Sequence, residues 1–258
     1  MVLVSYMIRR DYLVVGAGIG GASACEGIRK YDKRGSVTLV GAEALPPYKR
    51  WILSKGFLRE KEANLKKLQE LDERWLGAHK IEARFGTVVT QFNIERRLAV
   101  LANGESIEFT KACLAMGSRP VRPAMAGTSL GNVIYLRTIR DALALREMAT
   151  LEKTIMVVGG GLLACESAAS LRMMKMKVGL MHRDAYLLNR YVDPETGGVT
   201  ISEADTTDGS GHGCHVLTKA ELDHVKQMFA DENARRAGAP PVPAPAGAQL
   251  PTSSTTTP

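Results

Sequence analysis

Apolar runs and small residues alternate with polar stretches in a pattern that predicts two strand–turn–helix–strand units. The first unit opens with the apolar run Tyr12–Val15 and closes with a second strand at Val37–Val40. The second unit occupies Thr154–Met181, again with an apolar strand at each end. Short apolar strands that flank a helix of small residues are typical of a parallel βαβ unit.

Between the two units, the pattern predicts a β-meander followed by a helix. Leu98–Leu101 and Ile107–Phe109 flank the dipeptide Asn103-Gly104, which is a strong hairpin signal. The apolar run Ala112–Ala115 predicts a buried strand, and Asp141–Thr150 predicts a helix.

A further helix is predicted in the polar segment around Lys61–Trp75. We therefore expect an α/β fold in three regions: a Rossmann-like domain with an inserted β-meander at 1–150, a partial second Rossmann βαβ unit at 151–193, and a low-complexity tail at 194–258. The tail is rich in Gly, Thr and Ser and then in Pro, which is typical of disorder, although 218–236 has the periodicity of one amphipathic helix.

A glycine-rich turn follows the first strand of each unit, and the two turns are copies of one pattern. Such glycines allow a tight turn and let main-chain N–H groups approach a pyrophosphate at a helix N-terminus. Two copies in one chain indicate two dinucleotides side by side, which in practice means a flavin and a nicotinamide. The predicted binding positions are Gly16, Ala17, Gly18, Gly20 and Gly21 in the first turn, and Gly159, Gly161 and Ala164 in the second.

Composition favours a globular intracellular protein. With 258 residues and 45% hydrophobic content, the chain can bury the core of one or two domains. No apolar run is long enough to span a bilayer, and the first ten residues lack the features of a secretory signal. The four cysteines have no paired spacing, which indicates thiols in a reducing compartment. We therefore predict a cytoplasmic location and no integral membrane segment.

The formal charge of +7 is uneven, with +12 on residues 1–192 and −5 on the remainder. No aromatic and basic stripe supports nucleic-acid binding, so we predict none. Attraction of anionic dinucleotides or of an acidic protein partner explains the basic part more simply. In the tail, His212, Cys214, His215 and His224 match no zinc-binding spacing, and we predict no metal site.

The most specific motif follows the second strand. It consists of Glu43 and then Pro47-Tyr48-Lys49-Arg50-Trp51-Ile52-Leu53-Ser54-Lys55. Together with the glycine turns, this segment resembles the FAD-dependent pyridine nucleotide oxidoreductases, specifically their ferredoxin-reductase and apoptosis-inducing-factor-like branch. In that family the segment reads roughly P-Y-x-R-P-P-L-S-K after an acidic pair. Here Trp51-Ile52 replaces the two prolines, and Ala42 replaces the first acid.

The resemblance implies several contacts to FAD. Glu43 would accept hydrogen bonds from the adenosine ribose, and Arg50 would reach the adenosine or phosphate region. The main chain at Val89 would face the adenine, and Arg137 would contact the flavin. The alternatives are a solvated loop acid for Glu43, a solvated arginine for Arg50, and an ordinary core side chain for Val89.

Two residues of the resemblance would act at the reaction centre. Lys55 and Glu166 would meet beside flavin N5, where the nicotinamide stacks. A lysine there stabilises negative charge on reduced flavin, and a glutamate orients the nicotinamide. The alternatives are a structural salt bridge between the two residues, or an ordinary helix-surface glutamate at Glu166.

The dinucleotide preference depends on the end of the last predicted strand. His182 and Arg183 follow that strand, and an arginine at this point can pair with the 2′-phosphate of NADPH. Asp184 could instead serve the ribose of NADH, and His182 and Arg183 could simply cap a surface strand. The sequence therefore favours NADPH through Arg183 and leaves NADH open.

No C-x-x-C or C-x-x-x-x-C pair follows Lys55 or the second turn, which argues against disulfide-reductase chemistry. We therefore predict an FAD-dependent NAD(P)H oxidoreductase that passes electrons to an external acceptor, such as an iron–sulfur protein, a quinone or oxygen. The alternative is a catalytically incomplete flavin- or nucleotide-binding module, or an interaction protein on an oxidoreductase scaffold. Since members of the family continue well beyond the second turn, we expect this chain to be truncated or altered at its C-terminus.

Overall fold

A computed structural model describes residues 7–60, 64–151, 154–193, 195 and 215–216. The helices and strands belong to one compact unit that comprises Met1–Arg122 and Ile134–Val216. The segment Pro123–Val133 belongs to a second unit and forms neither helix nor strand. The predicted helix at 218–236 and most of the predicted tail lie outside the described residues.

The larger sheet contains the first glycine turn. Its strands are β1 (Met7–Val15), β2 (Val37–Gly41), β3 (Ile81–Phe85), β4 (Val89–Asn93), β5 (Leu98–Leu101) and β6 (Ser106–Leu114). They are ordered β3-β2-β1-β6-β5-β4, with β1, β2, β3 and β6 parallel and with β4 and β5 antiparallel to their neighbours. The sheet is therefore a parallel Rossmann-like core extended by a meander, as predicted.

The helices of this unit connect and cover the sheet. They are α1 (Ile19–Tyr31), a 3₁₀ turn (Arg50–Ile52), α2 (Gly56–Arg59), α3 (Leu65–Leu68), α4 (Glu73–Ala78) and α5 (Ile139–Leu151). Strand β2 is buried at all five positions. One face of the sheet packs against α1 through Val14, Leu39 and the helix residues Ala22 and Cys25. This packing fixes the start of α1 at the carboxyl end of β1.

The predicted second βαβ unit lies in the same compact unit as the larger sheet but forms a separate small sheet. This sheet consists of β7 (Thr154–Val158), β8 (Lys177–Met181) and β9 (His215–Val216), with α6 (Leu162–Met173) between β7 and β8. All three strands are parallel. The predicted βαβ unit is therefore confirmed. Strand β9 is an addition, because His215 and Val216 lie in the region predicted as a low-complexity tail.

The second strand of the predicted hairpin and the predicted buried strand form a single strand in the structure. Ile107–Phe109 and the run that begins at Ala112 both belong to β6, which continues without interruption through Leu114. The prediction of burial is wrong for the whole run, since Ala112 and Leu114 are exposed and Cys113 and Ala115 are only half-buried. Strand β5 pairs with β6 only as far as Glu108, so the rest of β6 has β1 as its only neighbouring strand in the sheet.

The predicted helix around Lys61–Trp75 is wrong as one element. Within its described part, α3 ends at Leu68 and α4 begins only at Glu73. Gln69 leaves the helix because it forms a β-bridge with Tyr48. The side chain of Asp72 then accepts a hydrogen bond from the Trp75 N–H at 2.7 Å, which starts a new helix.

No helix among the described residues is both long enough and apolar enough to span a bilayer.

Candidate functional site

The first glycine turn is shaped by steric requirements at two positions. Gly16 has a φ of +113°, and a Cβ there would overlap the carbonyl oxygen of Ala115 at the end of β6. A Cβ on Gly21 would overlap the carbonyl oxygen of Gly16. These glycines therefore serve the close packing of β1, α1 and β6, since no side chain fits at either position.

Three further predicted residues of this turn have different surroundings. Gly18 is the N-cap of α1, and a Cβ there would meet no atom within 4 Å. Gly20 lies closer to the protein, with Ala115 Cβ at 3.5 Å from the position that its own Cβ would take. Ala17 packs on the core between β2 and α1. The open side of the turn is therefore at Gly18.

The second glycine turn repeats this arrangement. The N–H of Gly159 donates to Met181 O at 2.7 Å, as the N–H of Gly16 donates to Val40 O at 2.8 Å. Gly159 has a φ of +140°, and Gly161 is the N-cap of α6 with open space on its Cβ side.

Each turn fits a dinucleotide pyrophosphate. In both, a helix of at least 12 residues begins at a glycine with no atom on its outer side, Gly18 for α1 and Gly161 for α6. The N–H groups of the first helical turn have no intrahelical acceptor, and the helix dipole favours an anion at that end. The predicted glycines Gly18 and Gly161 thus lie at the N-termini of α1 and α6, at two separate sheets. Binding of FAD at the first and of a nicotinamide dinucleotide at the second stays a prediction. Ala164 completes the second turn, because its Cβ lies 3.3 Å from the position of a Cβ on Gly159.

Glu43 follows β2 and is held on both carboxylate oxygens. Its Oε1 pairs with Arg50 Nη2 at 2.6 Å, and its Oε2 accepts the hydroxyl of Tyr48 at 2.7 Å. The Arg50 guanidinium also lies over the Tyr48 ring, 4.7 Å from its centroid. Sequence reasoning treated Glu43 and Arg50 as separate contacts to FAD, whereas the structure joins them. Each carboxylate oxygen retains lone-pair capacity for a ribose hydroxyl.

Arg50 connects this group to Arg137. Its Nη1 donates to the main-chain oxygen of Arg137 at 2.7 Å. The side chain of Arg137 lies beside Gly117, just past the end of β6, where a Cβ would be 3.1 Å from Arg137 Nη2. Asp141 fixes the preceding turn by accepting the Arg137 N–H at 3.0 Å. Arg137 is therefore near the same sheet edge as the first glycine turn.

Val89 occupies the first position of β4. Its side chain packs against the core formed by residues such as Leu13, Leu101 and Phe109. The ordinary core interpretation therefore applies to the side chain. The predicted contact of its main chain with adenine stays a prediction.

Lys55 and Glu166 meet, although 111 positions separate them in the sequence. Lys55 Nζ lies 3.0 Å from Glu166 Oε1. Ser54 donates its hydroxyl to Glu166 Oε2 at 2.6 Å, and its main-chain oxygen accepts the hydroxyl of Ser170 at 2.6 Å. These contacts attach the Leu53-Ser54-Lys55 segment to helix α6, and thus the first nucleotide-binding unit to the second.

The electrostatics of Glu166 result from opposing effects. Burial is the largest single influence and favours the neutral acid, whereas the hydrogen bonds from Ser54 and Lys55 and the charge of Lys55 favour the carboxylate. Together the latter prevail, so the pKa of Glu166 lies below its ordinary value. Glu166 is therefore a carboxylate at neutral pH.

Arg183 follows β8 and is 86% exposed. Its Nε lies 3.4 Å from Asp184 Oδ1, and its guanidinium is accessible to a ligand. The neighbouring His182 packs against Gly160 in the second glycine turn. Arg183 therefore lies beyond the strand that adjoins this turn, and its contact with an NADPH phosphate stays a prediction.

Sequence reasoning missed Tyr48 and Ser54 as site residues. Both stand in the quoted motif, but each acts through a partner distant in sequence: Tyr48 also accepts the N–H of Ile139, and Ser54 binds Glu166. Their place in the motif was the only signal in the sequence that could have marked them as site residues. Nothing in the local pattern indicates that they contact Ile139 and Glu166.

The described cysteines are thiols, as predicted. Cys25 is buried, Cys113 and Cys165 are half-buried, and none of the three forms a disulfide. Within the described ranges, no group of three or more His, Cys, Asp or Glu side chains is arranged to hold a metal ion. The histidines and cysteine of the tail, considered above as zinc ligands, have no described side chains.

Comparison with known proteins gives one family. The model of the pyridine nucleotide-disulphide oxidoreductase family matches residues 10–225. A ferredoxin–NAD(+) reductase component of the 3-phenylpropionate/cinnamic acid dioxygenase of Photorhabdus laumondii is 33% identical over 198 residues, which is 72% of this chain and 50% of the relative. Putidaredoxin reductase of Pseudomonas putida is 31% identical over 187 residues, 71% of this chain and 44% of the relative. The chain spans about half the length of the curated relatives it matches.

Solved structures agree with the fold. The ferredoxin reductase of the CYP199A2 system from Rhodopseudomonas palustris superposes with a TM-score of 0.72 and 27% identity, covering 81% of this chain and 50% of that one. The reductase in the covalent putidaredoxin reductase–putidaredoxin complex gives a TM-score of 0.69 and 29% identity, covering 73% and 46%.

Proposed function

This chain belongs to the pyridine nucleotide-disulphide oxidoreductase family, and we propose that it forms the nucleotide-binding part of an FAD-dependent reductase that uses NAD(P)H. The observation that best supports this function is the contact between Lys55 and Glu166 at 3.0 Å. This contact joins the Pro47–Lys55 motif of the first nucleotide-binding unit to helix α6, which begins at the second glycine turn. Hydride transfer requires the two cofactors to be held side by side, which such a connection provides.

FAD would be held at the first turn. Gly18 and the N-terminus of α1 would receive the pyrophosphate, Glu43 the adenosine ribose, and Arg50 and Arg137 the remaining polar groups. When bound, FAD would accept a hydride from reduced nicotinamide and pass the electrons onward one or two at a time. The protein would contribute binding, orientation and charge.

Lys55 and Glu166 would serve the reaction centre between the two units. The Lys55 ammonium is half-exposed and would stabilise negative charge that develops nearby. Glu166 is a carboxylate at neutral pH and would accept a hydrogen bond from the nicotinamide amide. A second dinucleotide would be held at Gly161 and the N-terminus of α6.

We infer that this second dinucleotide is NADH. The relatives are named as reductases of NAD(+), which supports NADH over the NADPH that Arg183 favours in the sequence. Asp184, which pairs with Arg183, supplies a carboxylate at this strand end.

For the electron acceptor we infer a small iron–sulfur protein. Several relatives are named as reductases of ferredoxin, and one as the reductase of putidaredoxin. The charge of +12 on residues 1–192 would attract an acidic partner of this kind. A cytoplasmic location is compatible with such a partner and stays a prediction.

The second candidate is a nucleotide-binding module without turnover of its own. One observation favours it: among the described residues, the smaller sheet consists of β7, β8 and the two-residue β9, with the single helix α6 between β7 and β8. Such a module would bind FAD and show no reduction by NADH.

An anaerobic spectral titration distinguishes the two candidates. The purified protein is incubated with FAD, passed through a desalting column and titrated with NADH and, separately, NADPH. Retained flavin absorbance that bleaches on addition of a dinucleotide supports the reductase. Flavin that is retained without bleaching supports the module, and a colourless eluate contradicts both. A Gly18→Ala variant serves as a control, because a side chain on the open side of the turn should abolish retention of flavin.

A further inference from the structure

Ser54 has an unusual position between the two nucleotide-binding units. It is 2% exposed, precedes Lys55 in the motif, and contacts α6 through both its side chain and its main chain. Its hydroxyl reaches Glu166 and its carbonyl oxygen accepts from Ser170, so two neighbouring positions on one face of α6 are engaged.

The two oxygens of Glu166 have donors of different character. Oε1 faces the half-exposed ammonium of Lys55, which ends a long side chain with several rotatable bonds. Oε2 faces the buried hydroxyl of Ser54 at 2.6 Å. A single flexible cation does not fix the plane of a carboxylate, because the group can rotate about its last bond while the ion pair persists. A second donor from a buried, short side chain prevents that rotation.

We propose that Ser54 is a positioning residue for Glu166: its hydroxyl holds one carboxylate oxygen and thereby orients the group toward Lys55 and the dinucleotide. The proposal rests on the proposed function in one respect, namely that Glu166 contacts the nicotinamide. The contacts of Glu166 with Ser54 and Lys55 are present in the protein without any cofactor.

Ser54 also contributes to the lowered pKa of Glu166. Burial opposes ionisation of this carboxyl, and among the described residues the charged group that acts on it is Lys55. Arg59, on the adjoining helix α2, directs its guanidinium to Met173 Sδ at 3.0 Å instead. The hydrogen bond from Ser54 is the largest of the effects that keep Glu166 ionised, so its removal should raise the pKa of Glu166.

The test measures the pKa of Glu166 directly, by carboxyl carbon NMR of the cofactor-free protein with labelled glutamate. Glu166→Gln assigns the signal. In Ser54→Ala the pKa of Glu166 should rise by about one pH unit. Ser54→Cys, which keeps the size of the side chain but donates weakly, should give a rise in the same direction and serves if the alanine variant does not fold. Ser167→Ala is the matched control: Ser167 follows Glu166 and is also buried, but its hydroxyl donates to Leu163 O at 2.7 Å.

The affinity for NADH, measured on the FAD-loaded protein, completes the test. Ser54→Ala should weaken NADH binding about fivefold to tenfold, and Ser167→Ala should leave it within about twofold. An unchanged pKa of Glu166 in both Ser54 variants overturns the proposal. So does a raised pKa without any loss of NADH affinity relative to Ser167→Ala. If the unmodified protein binds neither FAD nor NADH, the proposed function fails instead, and the pKa measurement still reports whether Ser54 holds Glu166.

Discussion

The hydroxyl of Tyr48 donates to Glu43 Oε2 at 2.7 Å and accepts the main-chain N–H of Ile139 at 3.2 Å. It thus connects the acid at the end of β2 to the first residue of helix α5. Burial and the adjacent Glu43 carboxylate raise the pKa of Tyr48 far above its ordinary value, so the phenol remains a donor at every physiological pH.

Replacement of Tyr48 by Phe should weaken FAD binding selectively. The variant leaves Oε2 of Glu43 without this donor and frees the carboxylate to rotate. We expect FAD affinity to fall about tenfold and stability to fall by about 1–2 kcal/mol. FMN lacks the adenosine ribose that Glu43 is proposed to bind, so its affinity should stay within about twofold. Fluorescence titration of both flavins provides the measurement.

Tyr12→Phe is the matched control for this change. The hydroxyl of Tyr12 also donates to a carboxylate, Asp32 Oδ2, at 3.1 Å. Asp32 lies at the C-terminus of α1, whereas the glycine turn lies at its N-terminus. It should lose some stability and keep its FAD affinity. Equal losses of FAD affinity in the two variants, or a parallel loss of FMN affinity in Tyr48→Phe, would contradict the assignment of Glu43 to the ribose.

Alanine substitutions at two glycines of the first turn should affect different properties: stability at Gly16 and FAD retention at Gly18. Gly16→Ala places a Cβ against the Ala115 carbonyl at a φ of +113°, so we expect a loss of about 3 kcal/mol or more in the free energy of unfolding. Gly18→Ala points into open space and should change stability by less than about 1 kcal/mol. Its effect should be on FAD retention, because the new methyl blocks close approach of the pyrophosphate. Urea unfolding and desalting with FAD separate the two effects, and a Gly18→Ala protein that retains FAD would exclude the first turn as the flavin site.

Local pattern was sufficient for the nucleotide-binding units but not for their connections. The strands and helix around each glycine turn were predicted correctly, because apolar periodicity and glycine spacing are properties of short segments. The hydrogen bonds Tyr48–Ile139 and Ser54–Glu166 join residues 91 and 112 positions apart, and no periodicity encodes such pairs. The position of Lys55 beside Glu166 was expected only from the family resemblance.

Tertiary contacts also explain where element prediction was wrong. The segment around Lys61–Trp75 has helical composition, yet the pairing of Gln69 with Tyr48 ends α3 and Asp72 begins α4. Strand β9 contains two residues, too few for any periodic signal, and forms because β8 offers it a free edge. The end of α3 and the formation of β9 therefore depend on partners distant in sequence, whereas the cap that Asp72 provides for α4 is local.

Arg29 should be a major determinant of stability outside the site. It is only 4% exposed and donates to three main-chain oxygens, those of Asp32, His79 and Lys80. Arg29→Met would leave these carbonyls unsatisfied between α1, α4 and β3. We expect a loss of about 3 kcal/mol, read from the urea midpoint, whereas the exposed neighbour Lys30→Met should change it by less than about 0.5 kcal/mol. Similar midpoints for the two variants would show that water replaces the guanidinium at these oxygens.

Arg183 should influence the choice of dinucleotide without affecting the flavin. Its exposed guanidinium can pair with a 2′-phosphate, whereas the ribose of NADH offers only hydroxyls. We expect the reductase to prefer NADH, as inferred above from its relatives. Because Arg183 would still pair with the 2′-phosphate of NADPH, Arg183→Ala should lower kcat/KM for NADPH about tenfold, or about 1.4 kcal/mol, while kcat/KM for NADH stays within about twofold. Arg74→Ala, which removes an exposed arginine from α4, should alter neither value. If Arg183→Ala lowered kcat/KM equally for NADH and NADPH, the arginine would bind a group common to both, such as the pyrophosphate. If kcat/KM changed for neither dinucleotide, the 2′-position of the ribose would lie away from the end of β8.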